Sequence, residues 1–301
     1  MKNKILVLIT LILVPIAVIS FNKNETNFNL SKNKEVSVKL KNVDNNEVTN
    51  INLEDYIIGV VAAEMPASFN EEALKAQAVA ARTYAYYKIL HSNKDYDLVT
   101  DISDQGYITK EEMQKKWSSD YDMYYKKIKE AVTQTKNEII TYKDEVILSY
   151  YFAMSNGYTE DSSLVFEEEP YLESVASAWD NDTLNNFQVD TTFSKEEFCK
   201  LLQINCTNIK IAKITRSNTN RVNTIVINNK EFNGTDFRHT LGLRSTDFNI
   251  TIENDLINIT TYGYGHGVGM SQYGANGMAK DGYNYQEILK YYYKDTEISK
   301  I

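Results

Sequence analysis

Asn52–Tyr87 reads NLEDYIIGVVAAEMPASFNEEALKAQAVAARTYAYY, a pattern of helix, tight corner and helix. Leu53, Tyr56, Ile57, Val60 and Val61 recur at helical spacing and form one apolar stripe. Glu64 is the next position on that stripe, one turn beyond Val60. A carboxyl group there points where the apolar side chains point, towards the interior or a cleft. Burial disfavours its charged form and raises its pKa, which is how a protein keeps an acid ready to donate a proton near neutral pH. The competing reading ends the stripe at a solvated helix terminus or pairs Glu64 with an arginine. Periodicity leaves both open.

The corner is set by Pro66, which cannot continue the first helix. Asn52 is a candidate cap for that helix, with Glu54 and Asp55 in its first turn. Ser68 or Asn70 can cap the second helix, which opens on Glu71 and Glu72 and closes with Lys88 and His91. The second helix is rich in alanine, so other elements can approach it closely. Arg82 sits among those alanines, and a crowded guanidinium needs an anionic or carbonyl partner.

Before this unit, Val36, Val38 and Leu40 alternate in EVSVKLKN, and VDNNE turns the chain towards a return strand at Val48–Ile51. After it, Asp95–Tyr125 reads as polar and helix-prone in part, with its middle a surface excursion, and Tyr125–Thr135 as a helix. Glu138–Tyr142 and Glu145–Ala153 form a hairpin turning at Lys143-Asp144. The loop SNGYTE follows, rich in hydroxyls around Gly157. Phe193–Ile204 reads as a short helix, and Lys210–Lys230 holds two strand-like runs. Phe248–Thr261 is another strand pair. Glycines crowd Tyr262–Gly282, YGYGHGVGMSQYGANGMAKDG, which implies unusual dihedrals or close backbone approach. His266 lies among them with little side-chain packing nearby, which makes it a site candidate. Tyr283–Lys294 closes the chain as a helix. The fold class is α+β: mostly antiparallel strand pairs packed with helices, with no alternating pattern that would call for a parallel sheet.

The 301 residues are 43% hydrophobic and 24% charged, enough for one large domain or two small ones. A net charge of −9 and no run of Lys or Arg argue against nucleic acid as a partner. Lys2 and Lys4 precede the uncharged stretch Ile5–Phe21. Its length and flank fit an N-terminal membrane anchor with the remainder outside the cytoplasm, although a cleaved signal peptide has the same outline. The expected organisation is an anchor over residues 1–22, a polar linker over 23–34 and one domain over 35–301. Outside the cytoplasm Cys199 and Cys206 are free to form a disulfide, and two buried thiols are the alternative.

Four blocks in order resemble the bacterial cell-wall family of stage II sporulation protein D and the amidase enhancers. They are LEDYIIGVVAAEMPASFNEEALKAQAVAARTYAYY, SNGYTEDSSLVFEEEPYLESVASAWD, FRHTLGLRST and GYGHGVGMSQYGANGMAKDGYNYQEILKYYYKDTEI. The resemblance implies a lytic transglycosylase that cuts peptidoglycan glycan strands, with no metal and no cofactor. It places the catalytic acid of the family's E-M-P-A segment on Glu64 and the arginine of its A-R-T-Y segment on Arg82. It also implies a membrane-anchored protein at the engulfing septum of sporulating cells, in the mother-cell membrane. There it works with a sporulation amidase and membrane scaffold proteins, and prefers strands the amidase has stripped of stem peptides.

Such an enzyme needs no water. The 6-hydroxyl of N-acetylmuramic acid closes a 1,6-anhydro ring, so one carboxyl group suffices where ordinary glycosidases use two. Ser155, Thr159, Tyr171, His266, Ser271 and Gln272 are, with Arg82, the expected sugar-binding residues around Glu64. Phe152 stands where relatives often carry a histidine, so no metal role attaches to it. Asn137 replaces a usual turn glycine and tolerates a left-handed turn. The competing class is a non-catalytic glycan-binding module that stimulates or recruits an amidase.

Overall fold

The computed structural model describes residues 35–301 apart from Ile102 and residues 181–185. The apolar stretch expected to anchor the chain, and the linker after it, lie outside the described residues. Among the described residues no helix is long and apolar enough to cross a membrane.

The opening stretch folds as read. The first helix is Leu53–Glu64, capped by the Asn52 side chain, which accepts from the Glu54 N–H. It is buried on nearly every side rather than along one stripe: Ile58, Gly59 and Ala62 are covered together with Tyr56, Ile57, Val60 and Val61. A Cβ at Gly59 would collide with the Tyr107 ring and the Ile108 carbonyl, so the sequence between the two expected helical regions packs directly on this helix. Met65 is extended, and Pro66 follows at the corner. Asn70, rather than Ser68, caps the second helix, Glu71–His91. From Ala73 to Ala85 nearly every residue of that helix is buried. The first helix, the helices Tyr121–Gln134, Gln272–Lys280 and Tyr285–Tyr292, and the strand Glu138–Tyr142 all pack on it. Alanine makes this possible because side chains of one carbon let several backbones approach a single axis.

Three small sheets surround this helical core. Ser37–Lys41 pairs antiparallel with Val48–Asn52 and, over two residues, parallel with Leu98–Val99. Glu138–Tyr142 turns at Lys143 and Asp144, both at positive φ, into the short strand Glu145–Val146. The C-terminal strand Glu297–Lys300 covers its other edge. The hairpin's second strand is thus shorter than the expected Glu145–Ala153. Beyond Val146 the chain is claimed by other partners: the Leu148 N–H donates to the Tyr171 hydroxyl and the Ser149 hydroxyl to the Ala80 carbonyl. Only Tyr151–Phe152 pairs again, parallel to Met270–Ser271. Asn137 adopts φ +66°, the left-handed turn expected of it.

Residues 188–262 build a second hydrophobic core around Phe193, Phe198, Phe237, Phe248, Ile257 and Ile259. Two three-stranded antiparallel sheets and the helices Lys195–Leu202 and Gly234–Thr240 enclose it. A Cys199–Cys206 disulfide ties the end of the first of these helices to the loop that follows. The architecture is therefore mixed α+β with antiparallel sheets. Its two short parallel pairings were not legible as periodicity, since a two-residue strand has no period to read.

Arg82 is fully buried. Its Nε and one terminal nitrogen donate to the two Glu54 oxygens at 2.9 and 2.7 Å, and it also reaches the Val132 and Glu138 carbonyls at 3.2 and 3.1 Å. Glu54 accepts in addition from the Asn137 N–H. The arginine thus joins the start of the first helix to the end of the Tyr121–Gln134 helix and the start of the next strand. It does not stand behind Glu64, which lies ten residues along the first helix, about 15 Å away. The sugar-binding role expected for Arg82 gives way to a structural one. Removing one member of a buried pair strands the other charge, so Arg82→Met is expected to lower the unfolding free energy by roughly 3–5 kcal/mol. Adding Glu54→Gln should recover part of that loss. Urea denaturation of the two variants checks both.

Candidate active site

Glu64 is the last residue of the first helix, and the corner at Met65–Pro66 leaves its side chain at the head of a cleft. The cleft measures about 510 Å³. Glu64, Lys116, Trp117, Tyr124, Met154, Arg244, Tyr264, Gln272 and Tyr273 are among its walls. Of the described residues that line it, Glu64 is the one carboxylic acid. Four aromatic rings face the same space, the lining that sugar faces stack on.

Three groups hold the Glu64 carboxyl. The Gly106 N–H donates to Oε1 at 2.6 Å, and the Gln272 amide donates to Oε2 at 3.5 Å. Lys116 lies close enough to favour the anion, while its ammonium donates to the Ala62 carbonyl at 2.8 Å. A Cβ at position 106 would stand 3.0 Å from Oε1, so a side chain there would push the carboxyl by a few tenths of an ångström. All three contacts stabilise the anion, yet burial outweighs them and pushes the Glu64 pKa above its ordinary value. The outcome is an acid that resists ionisation and has donors ready for the anion once its proton has gone.

Behind the acid lies a buried polar layer. The Tyr56 hydroxyl donates to Gln105 Oε1, and the Gln105 amide donates to the Tyr151 hydroxyl and the Ala81 carbonyl. Gln272 also donates to Gln77 Oε1 at 3.4 Å. Burial raises both phenols well above their usual pKa, so they remain neutral donors and acceptors. Among the described residues no group of three or more His, Cys, Asp or Glu is placed to hold a metal ion.

Of the residues expected to bind sugar, Gln272 is the one brought to Glu64. Ser155 and Ser271 turn inward and donate to the two oxygens of Asp180 at 2.6 and 2.7 Å, where Ser177 also donates. Ser271 caps the helix that starts at Gln272, so Asp180 fixes where that helix begins. Thr159 accepts from the Val175 N–H, and the Tyr171 hydroxyl from that of Leu148; both side chains are buried.

His266 is packed against Tyr150, Phe152 and Phe166. Its Nδ1 accepts from the Val268 N–H and its Nε2 faces the Tyr151 carbonyl at 3.0 Å. That pairing requires the neutral ring with its proton on Nε2, and burial pushes its pKa down to about 3. The glycines around it serve backbone approach: Gly263 and Gly269, both at positive φ, pass against the Met154–Ser155 and Tyr150 backbones. The segment does contribute to the cleft, through Tyr264, Gln272 and Tyr273 rather than His266.

Sequence reading did not single out Gly106, Lys116, Trp117, Tyr124, Arg244, Tyr264 or Tyr273. The first four fall in the polar, partly helix-prone stretch Asp95–Tyr125, whose middle reads as a surface excursion and carries the helix Lys110–Trp117 over the acid. A lone tryptophan in a polar stretch was the available signal.

The family model described as Stage II sporulation protein matches residues 41–142. The chain is 43% identical over 278 residues to Stage II sporulation protein D of Bacillus subtilis (strain 168), covering 89% of this chain and 80% of that protein. It belongs to the stage II sporulation protein D family. The Bacillus amyloliquefaciens member is 43% identical over 277 residues, with the same coverage. The amidase enhancer of Bacillus subtilis (strain 168) is 29% identical over 297 residues, 80% of this chain and 40% of that protein. Within the part matched by the family model lie Glu64, Gly106, Lys116, Trp117 and Tyr124; Arg244, Tyr264 and Gln272 lie beyond it.

A carboxyl group with a raised pKa favours folding below its unfolded value, here 4.5, and loses that contribution as pH rises through the folded value. Glutamine has no proton to lose. The stability of Glu64→Gln relative to the native protein is therefore expected to increase as pH rises above about 4.5. Urea denaturation between about pH 4 and pH 8 measures the difference. A gap that does not change with pH would mean Glu64 ionises as a solvated carboxyl does.

Proposed function

We propose that this family member is a lytic transglycosylase of peptidoglycan glycan strands. The observation that carries the reading is Glu64: an acid whose pKa burial raises, with anion-stabilising donors in place, at the head of an aromatic-lined cleft of sugar size. The reaction follows from one such group. Protonated Glu64 donates to the glycosidic oxygen as the bond to C1 of the muramyl sugar breaks. The resulting carboxylate then accepts the proton of the 6-hydroxyl as that oxygen bonds to C1. Glu64 ends as it began, no water is consumed, and the products are a 1,6-anhydro-muramyl end and a free hydroxyl on the departing sugar. The Gly106 N–H, the Gln272 amide and Lys116 steady the transient anion.

Membership of a sporulation family suggests where this takes place: at the septum during endospore engulfment, outside the cytoplasm, with Ile5–Phe21 as the anchor in the mother-cell membrane. Strands already stripped of stem peptides are the preferred substrate, which makes a sporulation amidase the functional partner. Likeness to a protein named amidase enhancer supports a second reading, a glycan-binding protein that stimulates or recruits the amidase without cutting. The two differ in what Glu64 does, because a binder has no use for a raised-pKa acid.

Glu64→Gln is expected to lower release of anhydro-muramyl products from stripped strands by about 10²–10⁴-fold, the range of general acid catalysis, while retaining strand binding. Mass spectrometry of the digest reads the products. Undiminished release would remove Glu64 from the chemistry, and hydrated reducing ends would indicate a hydrolase. In the native enzyme the rate should fall as pH rises through the raised Glu64 pKa, since only the protonated form donates.

A further inference from the structure

Arg244 has no part in the chemistry above, yet it lines the same cleft as Glu64. Each of the other arginines has side-chain partners. Arg82 has Glu54, Arg216 has Asp247 and the Phe248 carbonyl, Arg221 has Thr219 and the Tyr158 carbonyl, and Arg238 has the Leu243 carbonyl. Arg244 has neither a hydrogen bond nor an ion pair from its side chain among the described residues. Its Nε is buried and unpartnered. The guanidinium lies over the Tyr264 ring, 4.4 Å from its centroid, and its backbone carbonyl accepts from the Gly265 N–H at 2.9 Å. The fork is thus held in place, half-buried, with its donors unused among the described residues.

The other cation of the cleft is committed elsewhere. The Lys116 ammonium is bound to the Ala62 carbonyl and acts on Glu64. In a chain of net charge −9, an arginine fixed beside a sugar-sized cleft and left without an anion among the described residues calls for an anionic ligand group. Guanidinium pairs best with a planar carboxylate, taken by two parallel hydrogen bonds.

A glycan strand offers one such group, on the sugar that must present C1 to Glu64. The lactyl side chain of N-acetylmuramic acid ends in a carboxyl carbon. While a stem peptide is attached, that carbon is a neutral amide. Once the peptide is removed it is an anion. N-acetylglucosamine carries no charge.

We propose that Arg244 is a specificity-determining residue that binds the free lactyl carboxylate of the muramyl sugar and so converts removal of the stem peptide into affinity. The inference rests on the transglycosylase reading for the identity of the strand but not for the cutting step. It locates the preference for stripped strands in one side chain.

The test uses stripped glycan strands and the same strands after carbodiimide coupling to methylamine, which turns each lactyl carboxylate into a neutral amide of nearly the same size. Binding is measured by calorimetry on the Glu64→Gln protein, so that no substrate is consumed. The free-acid strands are expected to bind roughly tenfold to hundredfold tighter, the range for a charge-assisted pair. In Glu64→Gln combined with Arg244→Gln the ratio should fall to about one. With Arg244→Lys, which keeps the charge and loses the fork, it should lie between. Equal binding of the two strands, or a ratio that survives loss of Arg244, overturns the proposal. Product release by the native protein is scored separately. Discrimination that persists where no anhydro product forms supports Arg244 and removes the cutting step alone.

Discussion

One buried ion pair sets the frame in which the acid works. Arg82, wholly enclosed, grips both oxygens of Glu54 and two carbonyls from the elements that follow the second helix. A buried charge tolerates little displacement, because moving it away from its partners leaves it desolvated and unpaired. The start of the first helix is therefore fixed against the second. A 12-residue helix is stiff, so its far end, where Glu64 sits, is fixed too. The polar contact nearest the core thus serves the chemistry from a distance by deciding where the helix points.

At the other end the compromise is reversed. Glu64 is placed where ionisation is disfavoured, and the fold opposes complete neutrality with the Gly106 N–H, the Gln272 amide and Lys116. A proton donor that must also survive as an anion needs both influences. Burial alone would hold the proton too tightly, and the donors alone would give an ordinary carboxylate. Asp180 supports the same arrangement indirectly. By accepting from Ser155, Ser177 and Ser271 it fixes the first turn of the helix that presents Gln272.

Several residues chosen for chemistry proved to be joints. Ser155, Thr159, Tyr171 and His266 have the right functional groups, but each already has a partner within the protein. Hydroxyls and imidazoles are equally suited to binding sugars and to satisfying buried backbone, and their type does not distinguish the two uses. His266 shows this most clearly: the glycines around it let the backbone run tightly against Tyr150–Ser155, and the ring packs on Tyr150, Phe152 and Phe166. The residues that do face the cleft from this segment, Tyr264 and Tyr273, were hidden by the commonness of tyrosine in a chain with 22 of them.

Local pattern was enough to establish the two helices, the Asn52 cap, the corner at Pro66 and the alanine-rich axis, because each depends on neighbours within a few positions; it left the second cap and the surroundings of Glu64 open. Tertiary structure alone decided what surrounds the acid. Gly106 reaches Glu64 across 42 residues and Gln272 across 208, and no periodicity encodes contacts at such separations. Tertiary structure also determined that Arg82 would be taken up by Glu54 while Arg244 was left unpaired, among the described residues, beside the cleft. Both are arginines beside apolar residues in the chain, and only the placement of the carboxylates in space separates a structural guanidinium from one with its donors free.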